Sequence, residues 1–132
     1  MRKLKLFLIL CTCLSVLLLS SCGGNSEEYL GELEKLEECK GNLRTIGNAV
    51  YSYKTSNPGQ LPESIEILIE QKYLKIIPTC PISGKKYIYE KHPVNKSKFK
   101  IKCPNPELHV GTTDPKSKMK KLYYDTDTVK YE

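Results

Sequence analysis

Cysteine and histidine carry the chemistry open to this chain. Its 132 residues hold six cysteines and two histidines. Cys11 and Cys13 lie in an apolar run from Leu6 to Leu19 that follows the basic residues Arg2, Lys3 and Lys5. A basic start, a short apolar stretch and small residues before a break mark an export signal, and the run is too short and wrongly flanked for a spanning helix. Outside the cytoplasm thiols normally pair. Cys80 and Cys103 flank a segment with the pattern of a hairpin, and a disulfide between them would stabilise by roughly 3 kcal/mol in the chain-entropy picture. We expect that bridge. Cys39 falls on the apolar stripe of a helix, where a cysteine behaves as a small buried hydrophobe; a thiol-redox role for Cys39 is the leading enzymatic alternative. A zinc site built from Cys80, Cys103, His92 and His109 has no C-x-x-C or H-x-x-x-H spacing behind it. No metal and no cofactor are therefore expected.

Other catalytic patterns find no foothold. His92 and His109 have no Ser or Cys nucleophile pattern nearby, and the sequence has no paired-carboxylate motif, glycine-rich phosphate loop or H-E-x-x-H. The expectation is a protein that is not an enzyme. The formal net charge is +6, of which Arg2, Lys3 and Lys5 supply half. Residues 26–70 carry nine acidic and four basic side chains, and residues 71–132 carry six acidic and fourteen basic. The basic residues stand singly among Tyr, Ile and Pro, the pattern of solvated strand and loop faces. Without a helix-turn-helix, zinc-finger or RNP-like pattern, no nucleic-acid partner is expected.

The residues Leu19-Ser20-Ser21-Cys22 resemble the bacterial lipobox, in which a large apolar and two small residues precede a cysteine that is diacylated before cleavage in front of it. The resemblance implies residues 1–21 as a lipoprotein signal peptide and a mature chain that begins at a lipidated Cys22. Two or three acyl chains, at roughly 0.8 kcal/mol per buried methylene, anchor a protein stably. Gly23 is not the aspartate that favours inner-membrane retention, so an outer membrane is favoured where the cell has one. The 111 residues from Cys22 onward suffice for one small domain plus a tether.

These side chains must be positioned by a few elements. Leu30, Leu33, Leu36, Cys39, Leu43, Ile46, Val50 and Tyr53 recur at intervals of three and four, which predicts one long helix with an apolar stripe, capped at Ser26 and stopped by Asn57-Pro58-Gly59. A shorter helix is expected from Pro62, with Ile65, Leu68 and Ile69 on one face, ending near Tyr73-Leu74. Tyr87-Ile88-Tyr89 and Phe99 to Cys103 read as strands joined by the polar His92 to Ser97 connection. Leu122-Tyr123-Tyr124 and Val129-Lys130-Tyr131 read as a final hairpin about a turn at Asp125 to Asp127. Pro104, Pro106 and Pro115 mark a loop. The nine tyrosines read first as core and edge, with Tyr87, Tyr89, Tyr123 and Tyr124 the first candidates for a binding surface.

The order Cys39-x-x-Asn42-Leu43-Arg44-Thr45-Ile46-Gly47-Asn48-Ala49, then Asn57-Pro58-Gly59-Gln60-Leu61-Pro62, then Tyr73-Leu74-Lys75-Ile76-Ile77-Pro78-Thr79-Cys80-Pro81 resembles the soluble part of type IV pilin-like proteins. More narrowly it resembles the short major-pseudopilin-like proteins of type II secretion. The resemblance covers Cys39 to about His109 and implies an α+β fold: a long helix packed on an antiparallel sheet of three or four strands, with the Cys80-to-Cys103 loop stapled. The leader of such proteins, with its Phe-Thr-Leu-x-Glu helix head, has no counterpart here, and neither has the calcium loop of the longer ones.

The expected organisation is a signal over 1–21, a lipid-anchored tether and projecting helical stem over 22–42, and a pilin-like domain over 43–132. The stem has too little domain beside it to cover Leu30, Leu33 and Leu36, and an exposed apolar stripe marks a protein interface. The implied protein is a membrane-anchored envelope lipoprotein that faces the periplasm or exterior and works by contact with proteins of a secretion or pilus-like machine. The competing class is a free-standing envelope module with a ligand groove.

Overall fold

The computed structural model describes residues 24–111, 114, 116–125 and 128–132. The proposed signal and Cys22 lie outside the described residues, as does the centre of the last hairpin turn, residues 126–127. Among the described residues no helix is long and apolar enough to cross a membrane.

Helix α1 spans Gly24–Ser56, starting two residues before the expected Ser26 cap. Its stripe is real: Leu36, Cys39, Leu43, Ile46 and Val50 are fully buried and Tyr53 nearly so. The helix ends where predicted, with Asn57 N–H bonded to Tyr53 O at 2.9 Å and the Asn57 side chain donating to the same carbonyl. Pro58 and the positive-φ Gly59 then turn the chain.

Helix α2, Glu66–Glu70, is shorter than expected and stops four residues before Leu74. Lys72 adopts a left-handed conformation at φ 64°, and the amides of Tyr73 and Leu74 both bond back to Leu68 O, which closes the helix in the manner of a left-handed C-cap. Leu68 is buried against the core.

Four strands follow: β1 Ile88–Lys91, β2 Phe99–Lys102, β3 Leu122–Asp125 and β4 Thr128–Tyr131. They form one antiparallel sheet in the order β1-β2-β3-β4. In β2 and β3 buried and half-buried residues alternate, so that Phe99, Ile101, Leu122 and Tyr124 face α1. The fold is thus α+β, one long helix laid across a small antiparallel sheet. The register places Ile101 opposite Tyr124 and Tyr89 opposite Ile101.

The projecting stem is shorter than expected. Leu36 is fully buried and Leu33 packs against the core, while Leu30 remains 62% exposed. The stretch 104–119 reads from the sequence only as a loop, and its described residues reach this end of the helix. It contains a 3-10 turn at Pro106–Leu108 and a bridge between Val110 and Lys118. From α1, Tyr29 Oη donates to Gly111 O at 3.2 Å. The packed domain therefore begins well before residue 43.

Candidate functional site

Four reactive side chains from four separate segments meet in the core. Cys39 comes from the buried face of α1. Cys80 opens a tight turn in which Gly84 N–H bonds to Cys80 O at 2.8 Å and Cys80 N–H bonds to Lys85 O; Gly84 takes the positive φ the turn requires. Cys103 follows the last residue of β2 and is tied to β3 by its amide bond to Leu122 O. His109 follows the 3-10 turn, with its amide bonded to Pro106 O.

Cys80 Sγ and Cys103 Sγ, the pair expected to form a bridge, do come together, as free thiols 3.9 Å apart. The Nε2 of His109 lies 3.4 Å from Cys80 Sγ and 3.5 Å from Cys103 Sγ. Cys39 Sγ completes the group, and all four ligand-type atoms lie within 4.8 Å of one another in a fully buried cluster. Tyr87 donates its hydroxyl proton to Cys39 Sγ at 3.3 Å. On the far side of the imidazole, His109 Nδ1 is buried with no hydrogen-bond partner among the described residues, and so is Asn105 Oδ1.

The electrostatics follow from burial and crowding. The Cys103 thiol is pushed up by its hydrogen bond with Cys39 and then by burial. Burial works against protonation of His109, but its hydrogen bonds with Cys103 and Cys80 outweigh that, and the ring titrates above its ordinary range. Tyr87 is held protonated mainly by burial and next by its bond to Cys39. A reactive thiol needs a lowered pKa and access to solvent. Cys103 has neither, and Cys39 is fully buried. As three thiolates and a neutral imidazole, in contrast, the four groups are a metal-ligand set.

The other candidates are dispersed. His92 is exposed on the β1–β2 connection, where its Nδ1 accepts the amides of Asn95 at 2.9 Å and Val94 at 3.3 Å; it holds a turn and takes no part in the cluster. Cys39 stands in the place the sequence reading had given to His92. Tyr87 and Tyr124 are core residues, Tyr89 donates to Pro62 O, and Tyr123 lies under Lys100, so the four tyrosines form no common surface. The concavities on the described surface are open and lined by mixed charges: one by Glu90, Lys91, His92 and Lys98, another by Glu63, Glu66, Lys86 and Tyr89.

Among family models, curated proteins and solved structures, none matches this chain.

Proposed function

We propose that this chain is a bacterial envelope lipoprotein, anchored through lipidated Cys22, that displays a pilin-like α+β domain for contact with other proteins, as an accessory or structural component of a type II secretion or type IV pilus-like system. The observation that carries this reading is where α1 lies in the chain. The described helix starts at Gly24, two residues after Cys22, and runs without a break into the core. From Gly24 to Leu36 it rises about 18 Å at roughly 1.5 Å per residue. An acyl anchor at Cys22 would thus hold the domain close to the bilayer on a helical post rather than on a slack tether. The order of helix, loop and hairpins agrees with the pilin-like resemblance, and the burial of Cys39 favours a structural role for it over a redox one.

On this reading Leu30, exposed at the membrane-proximal end, is the remaining member of the apolar stripe open to a partner. The test is metabolic labelling with a fatty-acid analogue, combined with a photo-crosslinker placed at residue 30 in the intact cell. Label on the wild-type chain, loss of label and of cleavage in Cys22→Ser, and a crosslink to a secretion or pilus-type component are expected. A cleaved but unacylated wild-type chain would contradict the anchor. Crosslinks confined to lipid would contradict the contact role.

A further inference from the structure

We propose that Cys39, Cys80, Cys103 and His109 bind one zinc ion in a closed, tetrahedral, structural centre. The centre is independent of the anchor and of any partner, so its test stands apart from theirs.

The geometry is the first argument. With Zn–S near 2.3 Å and Zn–N near 2.0–2.1 Å, a tetrahedral site has S···S edges of about 3.8 Å and S···N edges of about 3.6 Å. The observed separations are 3.9 Å for Cys80–Cys103, 3.4 Å for Cys80–His109 and 3.5 Å for Cys103–His109, with Cys39 inside the same 4.8 Å group. Three edges of a zinc tetrahedron are thus already set by the protein scaffold.

The second argument is the histidine. An imidazole buried at 0% exposure needs partners for both nitrogens. Among the described residues its Nε2 has only sulfur partners, and its Nδ1 has no partner. A ring that ligates through Nε2 carries its proton on Nδ1, and a ligating histidine donates that proton to an acceptor in the next shell. Asn105 Oδ1, four residues earlier in the same turn, is a buried acceptor without a donor among the described residues. The two orphaned atoms are complementary.

The competing occupants of this volume account for less. A Cys80–Cys103 disulfide leaves Cys39 as an odd buried thiol and His109 with no strong partner on either nitrogen. Three inert core cysteines give no reason for a buried imidazole among them. A soft three-sulfur, one-nitrogen set with no open position selects zinc in a structural site rather than calcium or magnesium, which take oxygen. Because all four positions are filled by protein, no water is held for catalysis.

Binding balances as follows. Zn²⁺ enters, four metal–ligand bonds form, and the three thiols release three protons to solvent; His109 ligates as the neutral imidazole, so the fraction of rings that is protonated beforehand releases one proton more. The centre then carries a net charge of about −1, and the Tyr87 hydroxyl donates to Cys39 Sγ to share it. The ion would join α1, the turn after α2, the end of β2 and the Pro104–Met119 segment at one point. A small domain commonly relies on such a staple.

The test is metal analysis of the intact chain purified without chelators from whichever cell fraction holds it, together with native mass spectrometry. One zinc per chain and thiols that react with a thiol reagent only after metal removal are expected. Cobalt substitution should give the intense visible bands of tetrahedral cobalt with thiolate charge transfer. Cys39→Ser and His109→Ala should lose zinc; because they could also fail to fold, His109→Cys, which restores a four-ligand set, should fold and keep one zinc. His92→Ala should keep it as well. A zinc-free protein with a Cys80–Cys103 cystine, a different metal at the site, or zinc retained in every variant would overturn the proposal.

Discussion

The ring of Tyr124 lies directly over Gly47: a Cβ added there would sit 2.5–2.7 Å from three carbons of the ring. That contact sets how closely α1 approaches β3. Tyr124 is itself buried and stacked on Phe99, with ring centroids 5.9 Å apart, so the ring cannot simply swing away. Alanine at a helical glycine normally gains about 1 kcal/mol in propensity, but overpacking a tight core costs about 1–3 kcal/mol. Gly47→Ala should therefore be net destabilising in urea titration, and pairing it with Tyr124→Leu should recover much of the loss. Gly31→Ala, where nothing lies within 4 Å of the new Cβ, should instead stabilise by up to about 1 kcal/mol.

The boundary between stem and domain can be read from leucine truncations. Leu36→Ala removes a fully buried side chain and should cost about 2–5 kcal/mol. Leu30→Ala, at an exposed site, should stay within about 0.5 kcal/mol of the parent. Equal effects in chemical denaturation would mean that the packed domain begins elsewhere.

This shorter stem shows what the sequence could and could not tell. The stripe from Cys39 to Tyr53 was legible because helical periodicity is local, and its members are buried as expected, whereas Leu36, expected to stand exposed on the stem, is buried too. The two hairpins were legible for the same reason, through short β-favouring runs between turn residues. The burial of Leu36 was not, because the stretch 104–119 has no regular period and a long-range contact such as Tyr29 to Gly111 is set by tertiary packing. The end of α2 depends on a left-handed lysine, a conformation for which Lys72 carries no sequence signal.

The cysteine cluster was hidden by spacing. Cys39, Cys80, Cys103 and His109 lie far apart in the chain and converge only once helix, turn and sheet are assembled. A motif search reads ligands within one loop, and so it weighed His92 and passed over Cys39. The available signal was the position of Cys39 on the same stripe that faces the strand ending in Cys103, but that requires the sheet first.

Tyr87 gives a graded probe of the centre. Its hydroxyl bonds to Cys39 Sγ at 3.3 Å, so Tyr87→Phe keeps the packing and removes one donor. Loss of an outer-shell partner commonly lowers metal affinity about 10–100-fold. Competition against a chromophoric chelator should show a fall of that order with the stoichiometry unchanged.

Metal removal should also be felt by the whole fold. Because an ion bound only by the folded state stabilises by mass action, a strong chelator should lower Tm in calorimetry, and added zinc should restore it. Cys22→Ser, which leaves the four proposed ligands in place, should respond to chelator as the wild type does.

The most direct measurement is X-ray absorption at the zinc edge on the intact protein as isolated. Three sulfur scatterers at about 2.3 Å and one nitrogen at about 2.0–2.1 Å, with the outer-shell signature of an imidazole, are the predicted result. A first shell of oxygen and nitrogen alone, or no zinc edge above background, would contradict it.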